Sequence, residues 1–157
     1  MTICIGLLAT DGVVIATDSQ ESDTYLKREQ RKILPWFGNL PIGDNPKPIE
    51  SVCLFTGAGD GGYIGAFTHQ AIKGLQVGKS QTELESILEG ELRLFYEKHI
   101  FPWAFPPEFR MLIGAFCRYD TGIYVSYGST LRRAMMHAAI GIGASFAMSL
   151  LDKLPGI

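Results

Sequence analysis

The stretch MTICIGLLATDGVVIATD, residues 1–18, decides how the rest of the chain is read. Two apolar, β-branched runs, Thr2–Leu8 and Gly12–Thr17, flank Ala9-Thr10-Asp11. Short runs of this composition bounded by turn formers read as strands, and the Asp11-Gly12 dipeptide supplies a tight hairpin turn. Neither run alternates apolar with polar residues, so the pattern predicts a hairpin covered on both faces. A strand that starts at residue 2 also pins the chain terminus, where most termini fray. Thr2 follows Met1 and is a small residue of the kind after which an initiator methionine is commonly removed. Removal leaves a hydroxyl and a free α-amine on one residue, the pairing a threonine nucleophile needs when its own amine is the base.

Outward from this hairpin, 157 residues suit one domain, spanning 1–157, with one substantial core. Hydrophobic residues make up 46% and charged residues 19%, a globular and somewhat apolar balance of the kind found in subunits of assemblies. With 14 basic and 16 acidic residues the net charge is −2, which argues against nucleic acid or an anionic membrane as the main partner. Cys4, Cys53 and Cys117 lie in apolar runs without metal-ligand spacing, and read as buried, reduced thiols in a cytoplasmic protein. His69, His99 and His137 have no ligand spacing either, so neither metal nor cofactor is expected. The start of the chain lacks the basic and apolar blocks of a signal peptide. Ala134–Leu151 is apolar, but His137, Ser145 and Ser149 interrupt it and Gly141 and Gly143 divide it, so it predicts a strand followed by a helix rather than a membrane span.

Between these ends, Ser19–Thr24 reads as a polar turn, and Tyr25–Ile33 as a basic cluster holding Lys27, Arg28, Arg31 and Lys32. Leu34–Glu50, with Pro35, Pro41, Pro46 and Pro48, reads as a surface loop in which Trp36 sits. A strand over Ser51–Thr56 runs into Gly57-Ala58-Gly59-Asp60-Gly61-Gly62. Apolar periodicity predicts helices over 62–76 and 81–98, the second opened by a Ser80/Glu83 capping box. Pro102, Pro106 and Pro107 enforce a break holding Trp103, and Phe109–Arg118 with Gly122–Tyr127 form a second hairpin. A strand over Ala138–Ile142 and a helix over 144–153 follow. Strands, helices, strands and a helix in separate runs predict an α+β fold of two stacked sheets with helices outside.

Thr2, Gly6, the Asp11-Gly12 turn, Ala16-Thr17-Asp18 and Lys32 resemble the start of a proteasome-type N-terminal-nucleophile hydrolase, the group of proteasome β subunits and HslV-type peptidases. Gly57-Ala58-Gly59-Asp60 and Ala139-Ile140-Gly141-Ile142-Gly143 extend the resemblance over nearly the whole chain. No single piece is specific; their order and spacing carry it. The resemblance implies a four-layer αββα sandwich of two antiparallel sheets, here ending before the strands and helix with which members usually close. It also implies a cytoplasmic, homo-oligomeric ring that cleaves peptides or unfolded proteins, with an ATP-dependent unfoldase as a partner. It assigns Thr2 as nucleophile, Lys32 as the cation beside it and Asp18 as that lysine's acid, with Arg31 or Lys27 replacing Lys32 in another register. The oxyanion donor, a backbone N–H, falls at Thr56 or, one residue on, at Gly57. The chain departs from the pattern at Ile142, where the family has a serine bonded to the amine; Ser145 lies three residues on.

Two further readings follow from the same residues. One is a noncatalytic scaffold with this fold. The other is a nucleotide-binding α/β module, since Gly57–Gly62 matches GxGxxG between a strand and a helix and Glu83 follows about twenty residues on.

Overall fold

In the computed structural model, which describes residues 2–22, 27–29, 32–40, 49–77, 84–117 and 121–153, the opening hairpin forms as β1 (Ile3–Ala9) and β2 (Gly12–Thr17). Ala9 pairs with Gly12, so Thr10 and Asp11 are the loop and Gly12 already belongs to the strand. None of these residues has positive φ, and the expected turn centred on Asp11-Gly12 shifts back by one residue. Thr2 precedes the first strand.

The chain continues through β3 (Gln20–Ser22), β4 (Lys27–Glu29), β5 (Leu34–Leu40), β6 (Ile49–Gly59), α1 (Gly61–Val77) and α2 (Leu84–His99). It closes with β7 (Phe109–Cys117), β8 (Thr121–Tyr127), β9 (Thr130–Ala134), β10 (His137–Gly141) and α3 (Ala144–Leu151). All described pairings are antiparallel: β10-β1-β2, β5-β6-β7-β8-β9, and the separate pair β3-β4. The fold is thus α+β, with two antiparallel sheets of three and five strands and three helices among the described residues.

Strand alternation sends odd and even residues of the large sheet into two different cores. Phe55, Met111, Ile113, Tyr124 and Leu131 point to one face and pack with Phe67, Leu75, Leu88, Leu92 and Phe95 of α1 and α2. Leu112, Ile123, Val125 and Ala58 point to the other and meet Cys4, Ala138 and Ile140 of the small sheet. On its far side the small sheet is less covered than its apolar sequence predicts. Val14 is 53% exposed, and α3 packs toward β1 and β10. Where the small sheet runs out beside β2, an apolar cavity of about 240 Å³ opens between Val13 and Leu54 and Phe116 of the large sheet.

The expected surface loop over Leu34–Glu50 is wrong at both ends, where Leu34–Leu40 form β5 and Ile49 and Glu50 open β6, while 41–48 lie outside the described residues. Proline suggests a loop here, because Pro35 lacks an N–H to donate, but it lies on an edge strand, where that loss is tolerated. Trp36 is a core residue, 6% exposed, whereas Trp103 is exposed. Both strands of the β8–β9 hairpin exist, although the sequence pattern predicts only the first. The Ser80/Glu83 capping box and most of the Tyr119-Asp120-Thr121 turn lie outside the described residues. Ala134–Leu151 divides into β10 and α3, and among the described residues no helix is long and apolar enough to cross a membrane.

Candidate active site

Thr2, Asp18 and Lys32 come together at one end of the sandwich, where β1 begins and β2 stops. The ends of these strands are sewn by reciprocal bonds. Asp18 N–H donates to the Ile3 carbonyl at 3.2 Å, and Ile3 N–H donates to Asp18 Oδ1 at 3.0 Å. The other carboxylate oxygen, Oδ2, accepts from Lys32 Nζ at 3.0 Å, and the same ammonium lies 3.5 Å from Thr2 Oγ1. Asp18 therefore orients the lysine, and the lysine faces the threonine hydroxyl. Burial alone would raise the Asp18 carboxyl, but the Ile3 N–H and the Lys32 ammonium together hold its pKa below the usual aspartate value. Of the alternative cations, Arg31 and the Lys27 side chain lie outside the described residues.

The strand register distinguishes Thr56 from Gly57. In an antiparallel ladder, successive residues turn their N–H and C=O to opposite neighbours. Asp60 N–H donates to the Glu108 carbonyl at 3.0 Å, so even-numbered residues of β6 address the β7 side. Met111 N–H donates to Ser126 Oγ at 2.8 Å, toward β8, so Leu112 is the β7 residue that addresses β6, opposite Thr56. The main chain of Thr56 is thus engaged within the sheet. That of Gly57 turns toward β5, whose described pairing with β6 ends at Phe55. A side chain at Gly57 would collide: its Cβ would lie 2.8 Å from both the Arg110 carbonyl oxygen and Ile64 Cγ1.

Two residues at this end carry more than their sequence signal shows. Gly141 has φ +94°, and a Cβ there would strike the Thr2 carbonyl oxygen and lie 3.4 Å from Ala58 Cβ. It pairs with Ile3 and lets β10 close on the residue before β1. Ile142, at the expected serine position, is 80% exposed, and Ser145 is exposed as well. In sequence Cys4 reads only as a buried thiol, and the three cysteines are indeed buried. Yet its Sγ donates to the Gly57 carbonyl at 3.4 Å and lies 3.3 Å from Thr17 Oγ1 and 3.4 Å from Thr56 Oγ1. Thr17 in turn donates to the Ile3 carbonyl at 3.1 Å. This buried polar network joins β1, β2 and β6 beneath Thr2. The only hint of it in the sequence is Cys4 recurring at strand spacing from Thr2.

The glycine run does not build a dinucleotide site. Gly57 and Gly59 belong to β6, which pairs antiparallel on both sides, so the parallel βαβ unit is absent among the described residues. Asp60 instead caps α1, accepting from Gly62 N–H at 2.8 Å and Tyr63 N–H at 3.1 Å. Among the described residues no group of His, Cys, Asp or Glu could hold a metal ion. His137 pairs through Nε2 with Asp152 at 2.9 Å, and the His99 ring lies 4.8 Å from that of Phe95, tilted by 40°.

No known family profile and no curated protein matches this chain in sequence. Solved structures do match in shape. A (Gly-1) mutant of Anbu from Hyphomicrobium sp. strain MC1 superposes with a TM-score of 0.72 at 12% identity, over 99% of this chain and 65% of that one. Anbu of Pseudomonas aeruginosa, described as a helical assembly of the Anbu complex, gives 0.66 at 15% identity, over 97% and 65%. Anbu, the ancestral beta-subunit, from Yersinia bercovieri gives 0.65 at 13%, over 97% and 64%. The chain spans just under two thirds of the length of these structures. They correct the resemblance to proteasome β subunits and HslV-type peptidases drawn from sequence: no sequence match supports it, and the solved structures named here are Anbu proteins. At these identities that likeness is one of fold, and the fold is the Anbu fold.

Proposed function

We propose that this chain is a proteasome-related subunit that hydrolyses amide bonds with Thr2 as an N-terminal nucleophile. The observation that carries this reading is Lys32 Nζ, 3.0 Å from Asp18 Oδ2 and 3.5 Å from Thr2 Oγ1. The reading requires Met1 to be removed. The freed α-amine, with a reference pKa of about 7.7–8.0, then accepts the Thr2 hydroxyl proton near neutral pH. Thr2 Oγ attacks the substrate carbonyl carbon, forming a C–O bond. The oxyanion accepts the N–H of Gly57. The C–N bond breaks as the ammonium returns its proton to the leaving amine, and water cleaves the resulting ester. Lys32 keeps the amine neutral and stabilises the developing alkoxide, while Asp18 holds Lys32 in place.

The same reading takes residues 1–157 as one domain in a four-layer arrangement. The support for the layers is packing of α1 and α2 on the large sheet and of α3 on β1 and β10. Assembly with further copies is supported by the exposed apolar side chains Met135, Ile142, Phe146 and Leu150 and by the helical assembly of the Pseudomonas neighbour. Peptides or unfolded chains are the substrates, and an ATP-dependent unfoldase in the cytoplasm is the partner this reading implies.

N-terminal mass spectrometry and hydrolysis of fluorogenic peptides test it together. Loss of Met1, with hydrolysis abolished in Thr2→Ala at unchanged oligomer size, is the expected result. Hydrolysis that survives Thr2→Ala would remove Thr2 from the mechanism. A noncatalytic scaffold, favoured by Ile142 standing where a serine is expected, predicts retained Met1 and no turnover.

A further inference from the structure

The inner face of the large sheet changes character at the end that holds Thr2. Leu112, Val125 and Ala134 face the small sheet and pack between the two layers. One step outward on the same face, strand alternation places Arg110 on β7 and Tyr127 on β8, with Arg132 on β9 opposite Val125. The two guanidinium carbons lie 5.7 Å and 5.2 Å from the centroid of the Tyr127 ring, which is 47% exposed. Both arginines are exposed, and among the described residues neither makes an ion pair with a carboxylate.

Their position relative to the site follows from the register. Arg110 is the pairing partner of Ala58, its Cα about 5.5 Å away across the ladder. Ala58 follows Gly57 and sits beneath Gly141, which in turn lies against the Thr2 carbonyl. The cations therefore stand on the side of β6 away from Lys32, so that a chain laid across Gly57 with its carbonyl at Thr2 meets Arg110 next.

We propose that Arg110 and Arg132 form a carboxylate-binding subsite that selects peptides with an acidic side chain beside the bond addressed by Thr2; its link to cleavage rests on the function proposed above. The cation–π contact with Tyr127 holds each guanidinium beside the ring, and an arginine fork offers the paired N–H groups that a carboxylate's two oxygens match. The occupant is a peptide and not a nucleic acid. Two arginines flanking one ring make a short basic spot, whereas a polyphosphate backbone needs an extended basic stripe, and the net charge here is −2.

The test is fluorescence anisotropy with two labelled peptides that differ only by Glu or Gln at one position, measured on the full chain and on Thr2→Ala to suppress turnover. The Glu peptide is expected to bind roughly tenfold tighter, the scale of one charge-assisted hydrogen bond. In Arg110→Gln/Arg132→Gln that preference falls to about onefold; Arg110→Lys, which keeps the charge but loses the fork, gives an intermediate value. Equal binding of the two peptides, absence of binding by both, or a preference unchanged in the folded double variant overturns the proposal. Hydrolysis followed in parallel separates the two ideas. Preference without hydrolysis leaves the subsite standing and removes the nucleophile reading, and hydrolysis without preference does the reverse.

Discussion

Replacing Gly141 by alanine probes the contact on which the site's geometry depends. The residue sits at φ +94°, where an L side chain is strained by about 1–2 kcal/mol. Its new Cβ would also strike the Thr2 carbonyl oxygen, and relieving an overlap of this kind costs about 1–3 kcal/mol. The sum, about 2–5 kcal/mol, corresponds to a fall in Tm of roughly 4–20 °C for a domain of this size. Two other glycines calibrate the number. Gly128 has φ +58° with nothing within 4 Å of an added methyl, so Gly128→Ala isolates the backbone strain and loses about 1–2 kcal/mol. Gly65 lies inside α1 with equally open space, so Gly65→Ala gains about 0.5–1 kcal/mol. Thermal and urea unfolding of the three variants should rank them Gly65, wild type, Gly128, Gly141 from most to least stable. Thr2-dependent hydrolysis should fall in Gly141→Ala even well below its Tm. A Gly141→Ala variant as stable as Gly128→Ala would refute the claim that β10 closes directly on Thr2.

Asp18 has its pKa lowered in the fold, so its ion pair stabilises at pH values above the unfolded aspartate value of about 3.9 and is lost as pH falls through the folded value. Acid unfolding of Asp18→Asn should therefore show a shallower loss of stability below about pH 4 than the wild type; identical acid limbs would remove the linkage. Cys4→Ala leaves Thr56 Oγ1 and the Gly57 carbonyl without their thiol partner and is expected to cost about 1–3 kcal/mol, while Cys4→Ser restores part of it. An NMR carbonyl shift at Gly57 that does not move in Cys4→Ala would show that no such bond exists. Asp60→Ala removes the α1 cap and should lower stability by about 1 kcal/mol in urea without changing the thermal response to NAD or ATP.

The first hairpin, both long helices and the β7–β8 pair were legible because their apolar spacing is local and long enough to have one reading. Leu34–Leu40 was not. The four prolines of Leu34–Glu50 outweighed its tryptophan, and only pairing with β6 shows that Pro35 is at an edge. Thr2, Asp18 and Lys32 were nominated through the family resemblance and not by spacing, and their meeting depends on where Lys32 lands after residues the local pattern says little about. The choice between Thr56 and Gly57 was beyond any reading of side chains. It concerns the direction of a main-chain N–H, and register with β7 turns that of Thr56 into the sheet. Gly141 and Cys4 act through packing across two sheets, and contacts of that range leave no periodicity to find.

The alternation of β6 links two quantities that could have been independent. A slip of one residue would reverse the outlook of every peptide along it, so the amide offered by Gly57 would swing into the ladder. The same slip would drive Phe55 out of the helical layer and into the crowded space above Cys4. Hydrophobic packing on one side of the sheet thereby acts as a reading frame for a polar group at its rim. Sequence drift that keeps the aromatic residue in place protects the aim of that amide as well, with no selection on the amide itself.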